Sequence, residues 1–406
     1  MLVYFAFLFA LFLLGIAVVK ANYKFQTYFN PWFFFLCIEV LVLHLISIFC
    51  AKSLDLIDNE SGFSYLVLCS SLYIAGYATS YWVRFTFVET IVFKAIAIVP
   101  SISTNKITVI SSIIIFFLGF YLLITIGNAG FLWFTDPRLA YLNYRGATGD
   151  GALFALAQWS LMVAVALCFN ACDFKLKLML FVLCVFSVAA YFYGSKQILL
   201  NIFIYAIFLL DCKGFKLKLY HFFIIGILSA LVFVLLLGGG LEAAPLTFAG
   251  FYFSEYAVNT SRIFSVEVMS AFFPGEILLS NIWTYLPRFI YPDKPYEYGQ
   301  VLINSILFPG AAQQGQTPGL LYWSSFYVDF GFIGVFCFGL LRGVFDSSLF
   351  SALRGNIHQA LKLAFTFGLC ITPLFLYAPM LYQYIFIFSI SLVFSVFKAK
   401  RRPPIL

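Results

Sequence analysis

Five basic residues lie in contexts that could build an anion site. Arg138 and Arg145 fall in TDPRLAYLNYRGATG, Lys196 in YFYGSKQ, and Arg288 and Lys294 in YLPRFIYPDKPYEYG. A half-buried cation among Gly, Pro and aromatic neighbours must find an anion. Guanidinium groups take phosphate or pyrophosphate bidentately, and lysine adds a compact positive charge. Such groups also stabilise charge that builds on a phosphate leaving group. One spacing recurs: ten residues separate Arg138 from Gly149, and ten separate Arg288 from Gly299. Glycine fills roughly 7% of positions in an average protein, so a double coincidence is uncommon.

The elements that position these residues are membrane helices. Hydrophobic residues make up 63% of the 406 and charged residues 10%, with 53 phenylalanines; the mean hydropathy is +0.99. A soluble domain carries about 25% charged residues, so most of this surface faces something other than water. The net charge of +7 is read as orientation charge rather than a nucleic-acid footprint, because the basic residues cluster between apolar runs. The nine cysteines avoid the long polar loops and show no CxxC or Cys/His spacing, which argues against a disulfide framework or a zinc site.

A crossing needs roughly 20 apolar residues. The pattern predicts an all-α polytopic bundle of about eleven spans, at 2–19, 31–50, 63–82, 107–126, 152–169, 178–193, 197–210, 219–237, 319–341, 359–378 and 380–397. The first is read as a retained span, since no positive n-region precedes it. Residues 85–100, interrupted by Glu89 and Lys94, suit a surface-lying or re-entrant helix. With the N-terminus outside and the C-terminus inside, most Lys and Arg, Arg342 among them, fall in inner connections. Lys52, Arg138, Arg145, Lys196, Arg262, Arg288 and Lys294 remain outside. Lys52, beside Asp55, Asp58 and Glu60, reads as a solvated loop charge or an internal salt bridge, and Arg262, amid Glu255 and Glu267, as a structural ion pair. Within the second span, Glu39 and His44 are either functional or a pair joining two helices. The whole chain, 1–406, is expected to be one membrane domain. Its outer loops 127–151 and 238–318, the latter broken into short amphipathic pieces, would form a cap over the site.

On Arg138…Gly149 and Arg288…Gly299, the chain resembles the Wzy-type O-antigen (oligosaccharide repeat unit) polymerases, whose two large periplasmic loops each carry an arginine–ten residues–glycine motif. Gly194-Ser195-Lys196, Pro287-Arg288…Pro292-Asp293-Lys294-Pro295 and Thr317-Pro318-Gly319…Phe330-Gly331-Phe332-Ile333-Gly334 also look like that family. Asp329 departs from it, standing where a polar amide is expected. The resemblance implies a multi-pass protein of the bacterial inner membrane, similar to GT-C-type membrane glycosyltransferases. Its substrate would be an undecaprenyl-pyrophosphate-linked oligosaccharide, and its product an O-antigen or related surface polysaccharide.

It implies further that Arg138, Arg145, Lys196, Arg288 and Lys294 hold the pyrophosphate, with Arg138 and Arg288 catalytic. Among the outer carboxylates, Glu255 and Asp293 are the candidates to accept the hydroxyl proton, unless they merely pair with cations. Tyr141, Tyr144, Trp283, Tyr285, Tyr291, Tyr296 and Tyr298 could stack on sugars or anchor the membrane interface. No cofactor, metal or nucleic acid is called for; the lipid bilayer and a chain-length regulator protein are the expected partners. An O-antigen ligase is disfavoured because His44, His221 and His358 lie outside the large outer loop. A flippase or other transporter is the remaining alternative.

Overall fold

A computed structural model describes residues 2–28, 30–57, 59–83, 85–100, 106–146, 150–171, 176–194, 245–265, 271–286, 290–295, 297–310, 318–354 and 379–396, with single positions between 198 and 210 and at 268. Among these the regular structure is helical throughout. Five helices are long and apolar enough to cross a membrane: α1 (Leu2–Phe25), α2 (Pro31–Ser53), α5 (Lys106–Ile126), α7 (Asp150–Ala171) and α12 (Ser324–Arg354). The expected spans at 63–82, 178–193 and 380–397 appear as the helices α3 (Glu60–Thr79), α8 (Leu176–Tyr191) and α13 (Pro379–Val396). Those at 219–237 and 359–378, with most of 197–210, lie outside the described residues. Residues 85–100 contain α4 (Thr86–Ile98), which at 1.5 Å per residue is about 20 Å long and shorter than a bilayer core.

The chain divides into two compact units: 1–89, 216–350 and 373–378 form the first, and 90–215, 351–372 and 379–406 the second. In the first, α1 buries Ala10, Leu14, Ala17 and Ala21 against α3 and leaves Phe5, Leu8 and Phe12 exposed. The buried set recurs every three to four residues, so one helix face is small and the other lipid-like. Asn30 caps α2 by accepting from Phe33 N, with Pro31 at the first helical position. Asn59 caps α3 by accepting from Ser61 N and Gly62 N. From Phe35 to Ile46, α2 is wound as a π-helix.

Ring contacts fix the directions of these helices. Tyr4 meets Phe63 at one end, and Phe25 meets Trp32 at the other, where Trp32 also donates to Ser80 Oγ. So α1 and α3 run parallel with α2 antiparallel between their ends. Lys20 lies over Trp82 and Lys24 over Phe25 at the second end. At the first end, Tyr65 of α3 packs on Phe264, just after α9 (Pro245–Ser261).

α12 is bent double at Gly331, whose φ of 63° and ψ of −152° leave the helical region. Phe326 stacks on Phe338 at 4.0 Å and 10°, and the Tyr322 ring lies 5.6 Å from the Arg342 guanidinium. Residues 318–330 therefore fold back antiparallel along 332–342. The limb 332–354 is about 34 Å long, enough to span. The expected span at 319–341 thus crosses the bend, and the membrane-length limb starts after Gly331. In the other limb, Leu321 N donates to Thr260 Oγ1 (2.8 Å) and Asn259 Nδ2 to the Gly319 carbonyl (3.3 Å), tying it to α9.

In the second unit, α5 packs on α7 where Gly119 meets Ser160 and Ala157. Trp133, fully buried, stacks on Phe154 at 5.8 Å. Tyr193 donates to the Ala157 carbonyl across 3.0 Å.

Candidate functional site

Arg138 lies in the first turn of α6 (Pro137–Gly146). Pro137 suits the first helical position, where no amide hydrogen is needed, and Asp136 Oδ1 accepts from Leu139 N at 2.9 Å. The exposed Arg138 guanidinium stands 5.5 Å from the Tyr141 ring centre, and Nη1 is 3.5 Å from the Gly194 carbonyl oxygen. Gly194 has φ +59°, and a Cβ there would overlap the Pro137 carbonyl oxygen. Only glycine lets the chain leave α8 pressed against the start of α6. The structure thus brings Arg138 to the start of the Gly194-Ser195-Lys196 motif. Arg145 falls two turns further along α6. Lys196 and Gly149 are outside the described residues.

The second motif is built on the first unit. α10 (Glu276–Ser280) and a 3-10 turn (Asn281–Tyr285) precede it, and α11 (Gln300–Leu307) follows. Gly299 has φ +58°, and a Cβ would collide with Asn281 Oδ1. Its amide donates to Ser280 Oγ at 2.8 Å. The motif glycine is therefore a backbone requirement: it closes the 281–299 excursion onto its own start. Within that excursion Trp283 stacks on Tyr291 at 5.6 Å and 24°. Lys294 Nζ lies 4.6 Å from the Tyr298 ring centre, and Asp293 is exposed. Glu255 is exposed on α9. Arg288 lies outside the described residues.

Asp329 ties this excursion to α12. Its carboxylate accepts from Ile277 N (3.0 Å) and Leu278 N (2.8 Å), capping α10 from a different segment. An amide offers one acceptor oxygen, whereas Asp329 uses both of its own. The departure from the expected amide has this structural use.

Sequence reasoning missed a buried polar cluster in the first unit. Arg342, placed above in an inner connection, is buried within α12. It pairs with Glu39 of the π-wound segment, lies 3.7 Å from Asp346 and donates to Tyr73 Oη. Tyr73 donates to Glu39 Oε2 (3.0 Å), and Tyr77 to Asp346 Oδ2 (2.9 Å). His44 does not pair with Glu39; its Nδ1 stands 3.1 Å from Ser70 Oγ. The signal in the sequence is GLLRG. Gly339 and Gly343 approach the α3 backbone at Tyr73 and Tyr77, a small-xxx-small crossing that carries Arg342 between α2 and α3. One guanidinium, two carboxylates and two phenols meet there, with the Arg342 Nε left without a hydrogen bond, and the cluster joins three helices.

Over 127 residues, 30% of this chain, the sequence is 24% identical to the O-antigen polymerases of Salmonella typhimurium (strain LT2) and Salmonella typhi. The match spans about a third (31%) of the length of each relative. No family model matches the chain, and no solved structure does.

Proposed function

We propose that this chain is a membrane glycosyltransferase that joins lipid-pyrophosphate-linked oligosaccharide repeat units into an O-antigen or related surface polysaccharide. The observation that carries the reading is the paired arginine–glycine motif in a chain similar to two O-antigen polymerases. Two contacts support it: Arg138 meets the Gly194 that opens the Gly-Ser-Lys motif, and Gly299 occupies a backbone position that only glycine fills easily.

In this reading a sugar hydroxyl of one unit attacks the anomeric carbon of the growing chain, and undecaprenyl pyrophosphate leaves. Arg138 and Arg288, with Arg145, Lys196 and Lys294, neutralise the charge that builds on the departing pyrophosphate. Glu255 or Asp293 accepts the hydroxyl proton. The face is the outer one. The 261–264 turn packs at the end of α1–α3 opposite Lys20 and Lys24, and positive-inside orientation turns that end outward. A chain-length regulator would set the polymer size.

The test is deletion of the gene, complemented with the parent chain or Arg288→Ala, and gel analysis of surface polysaccharide. Loss of long chains with a single capped repeat unit retained supports polymerisation. Loss of the single unit as well points to ligation or flipping, and normal long chains with Arg288→Ala remove the arginine from the site.

A further inference from the structure

We infer that the edge of the cap formed by residues 273–286 and 290–291 inserts into the acyl boundary of the bilayer, so that this loop is an interfacial membrane anchor as well as a substrate-binding element. Phe273, Leu279, Ile282, Leu286, Ile290 and Tyr291 are all exposed, between 38% and 66%. None belongs to a candidate span. Leu279 at the end of α10 and Ile282 in the 3-10 turn are three residues apart, which suits one side of the run, and Leu286 follows in extended backbone. Ser280, Asn281 and two amides of α10 spend their polar atoms within the protein. Ser280 Oγ accepts from Gly299 N, Asn281 Nδ2 donates to the Ile277 carbonyl, and the Ile277 and Leu278 amides meet Asp329. A water-facing helix shows the reverse arrangement, so this outer face fits an apolar solvent.

The occupant follows from position. Asp329 fixes α10 beside the Gly331 bend, and Phe330 contacts Gly275 there. Phe330 is 47% exposed, and Ile333, the next turn of the membrane-length limb, is 77% exposed. The patch therefore continues the lipid-facing surface of α12. Its polar border fits the same boundary: the Trp283–Tyr291 stack has the composition of an interfacial aromatic belt, and Asp293 and Lys294 follow directly. Interfacial segments of this kind lie with their apolar face roughly 5–10 Å into the headgroup–acyl boundary. The insertion does not rest on the proposed pyrophosphate role.

The experiment places a fluorescent amino acid at Ile282 or at Leu279, with a control at Asp293, in the full chain reconstituted in phosphatidylethanolamine–phosphatidylglycerol vesicles. Quenching is read with iodide and with phospholipids bearing a nitroxide high on the acyl chain. Insertion gives several-fold stronger lipid-borne than iodide quenching at 282 and 279, and the reverse at 293. Iodide quenching at 282 and 279 equal to that at 293 overturns the inference. Protection from both quenchers overturns it too, since protein then covers the patch. The readout needs no enzymatic activity, so it holds or fails apart from the polymerase reading.

Discussion

Arg342 of α12 forms its ion pair with Glu39 of α2 inside the protein, at the one stretch of α2 wound as a π-helix. Both side chains are buried. The wider winding of a π-helix is rare, and such segments concentrate where side chains are re-aimed. Here it turns Glu39 toward a guanidinium that the GLLRG crossing delivers between two helices.

The pair predicts an asymmetric mutational response. Arg342→Met leaves Glu39 and Asp346 without their counter-charge, and removal of one partner of a buried pair costs about 3–5 kcal/mol. Glu39→Gln combined with Arg342→Met removes most of that imbalance. Thermal unfolding in detergent should show the single Arg342 variant as the least stable, with the double variant recovering most of the loss. Equal destabilisation in both would show that the charges do not interact.

Gly299→Ala tests the second motif glycine. The substitution meets both a positive φ and the Asn281 side chain, and strain of this kind costs about 1–3 kcal/mol. The variant should insert into the membrane at normal yield yet lose long-chain polysaccharide. Asn281→Gly on the same background removes the collision but not the positive φ, and should restore activity only in part. Full activity in Gly299→Ala alone would show that the 281–299 closure does not position the site.

Asp329→Asn should loosen the cap without unfolding the bundle. The amide keeps one acceptor for two amide donors, and an unsatisfied buried donor costs about 1–3 kcal/mol. Limited proteolysis should cut faster within 271–299 in the variant, while α1–α3 stay protected. An unchanged cleavage pattern would mean that the carboxylate does not hold α10.

Much of this was legible in the sequence because membrane helices announce themselves through length and hydropathy. The helices α1, α2, α5 and α7 begin and end near where the apolar runs do. What escaped was long-range geometry. The local sign of Arg342's burial is GLLRG, but its partners Glu39 and Tyr73 come from distant helices, and charge and hydropathy along the chain do not show them. The bend at Gly331 was hidden for a related reason: FGFIG is apolar on both sides, so hydropathy runs through it without a break. Of the motif residues, Gly194, Gly299 and Gly331 carried the most recoverable information, because a positive φ is a local demand that a residue type can satisfy.

The first motif permits a test by non-additivity. Gly194 and Arg138 touch through the Gly194 carbonyl, and Gly194 also lies against Pro137 at the start of the same helix. Gly194→Ala must push the chain at position 194 off the start of α6, because its Cβ has no room beside the Pro137 carbonyl oxygen. If Arg138 and the Gly-Ser-Lys motif serve one anion, either substitution removes the same joint contribution. Arg138→Ala and Gly194→Ala should then each abolish long chains, and in a quantitative assay on isolated membranes the double variant should be no worse than the poorer single one. Independent sites would instead add, to within about 0.5 kcal/mol. Additive losses would therefore separate Arg138 from the Gly-Ser-Lys motif, whereas saturation binds the two into one site.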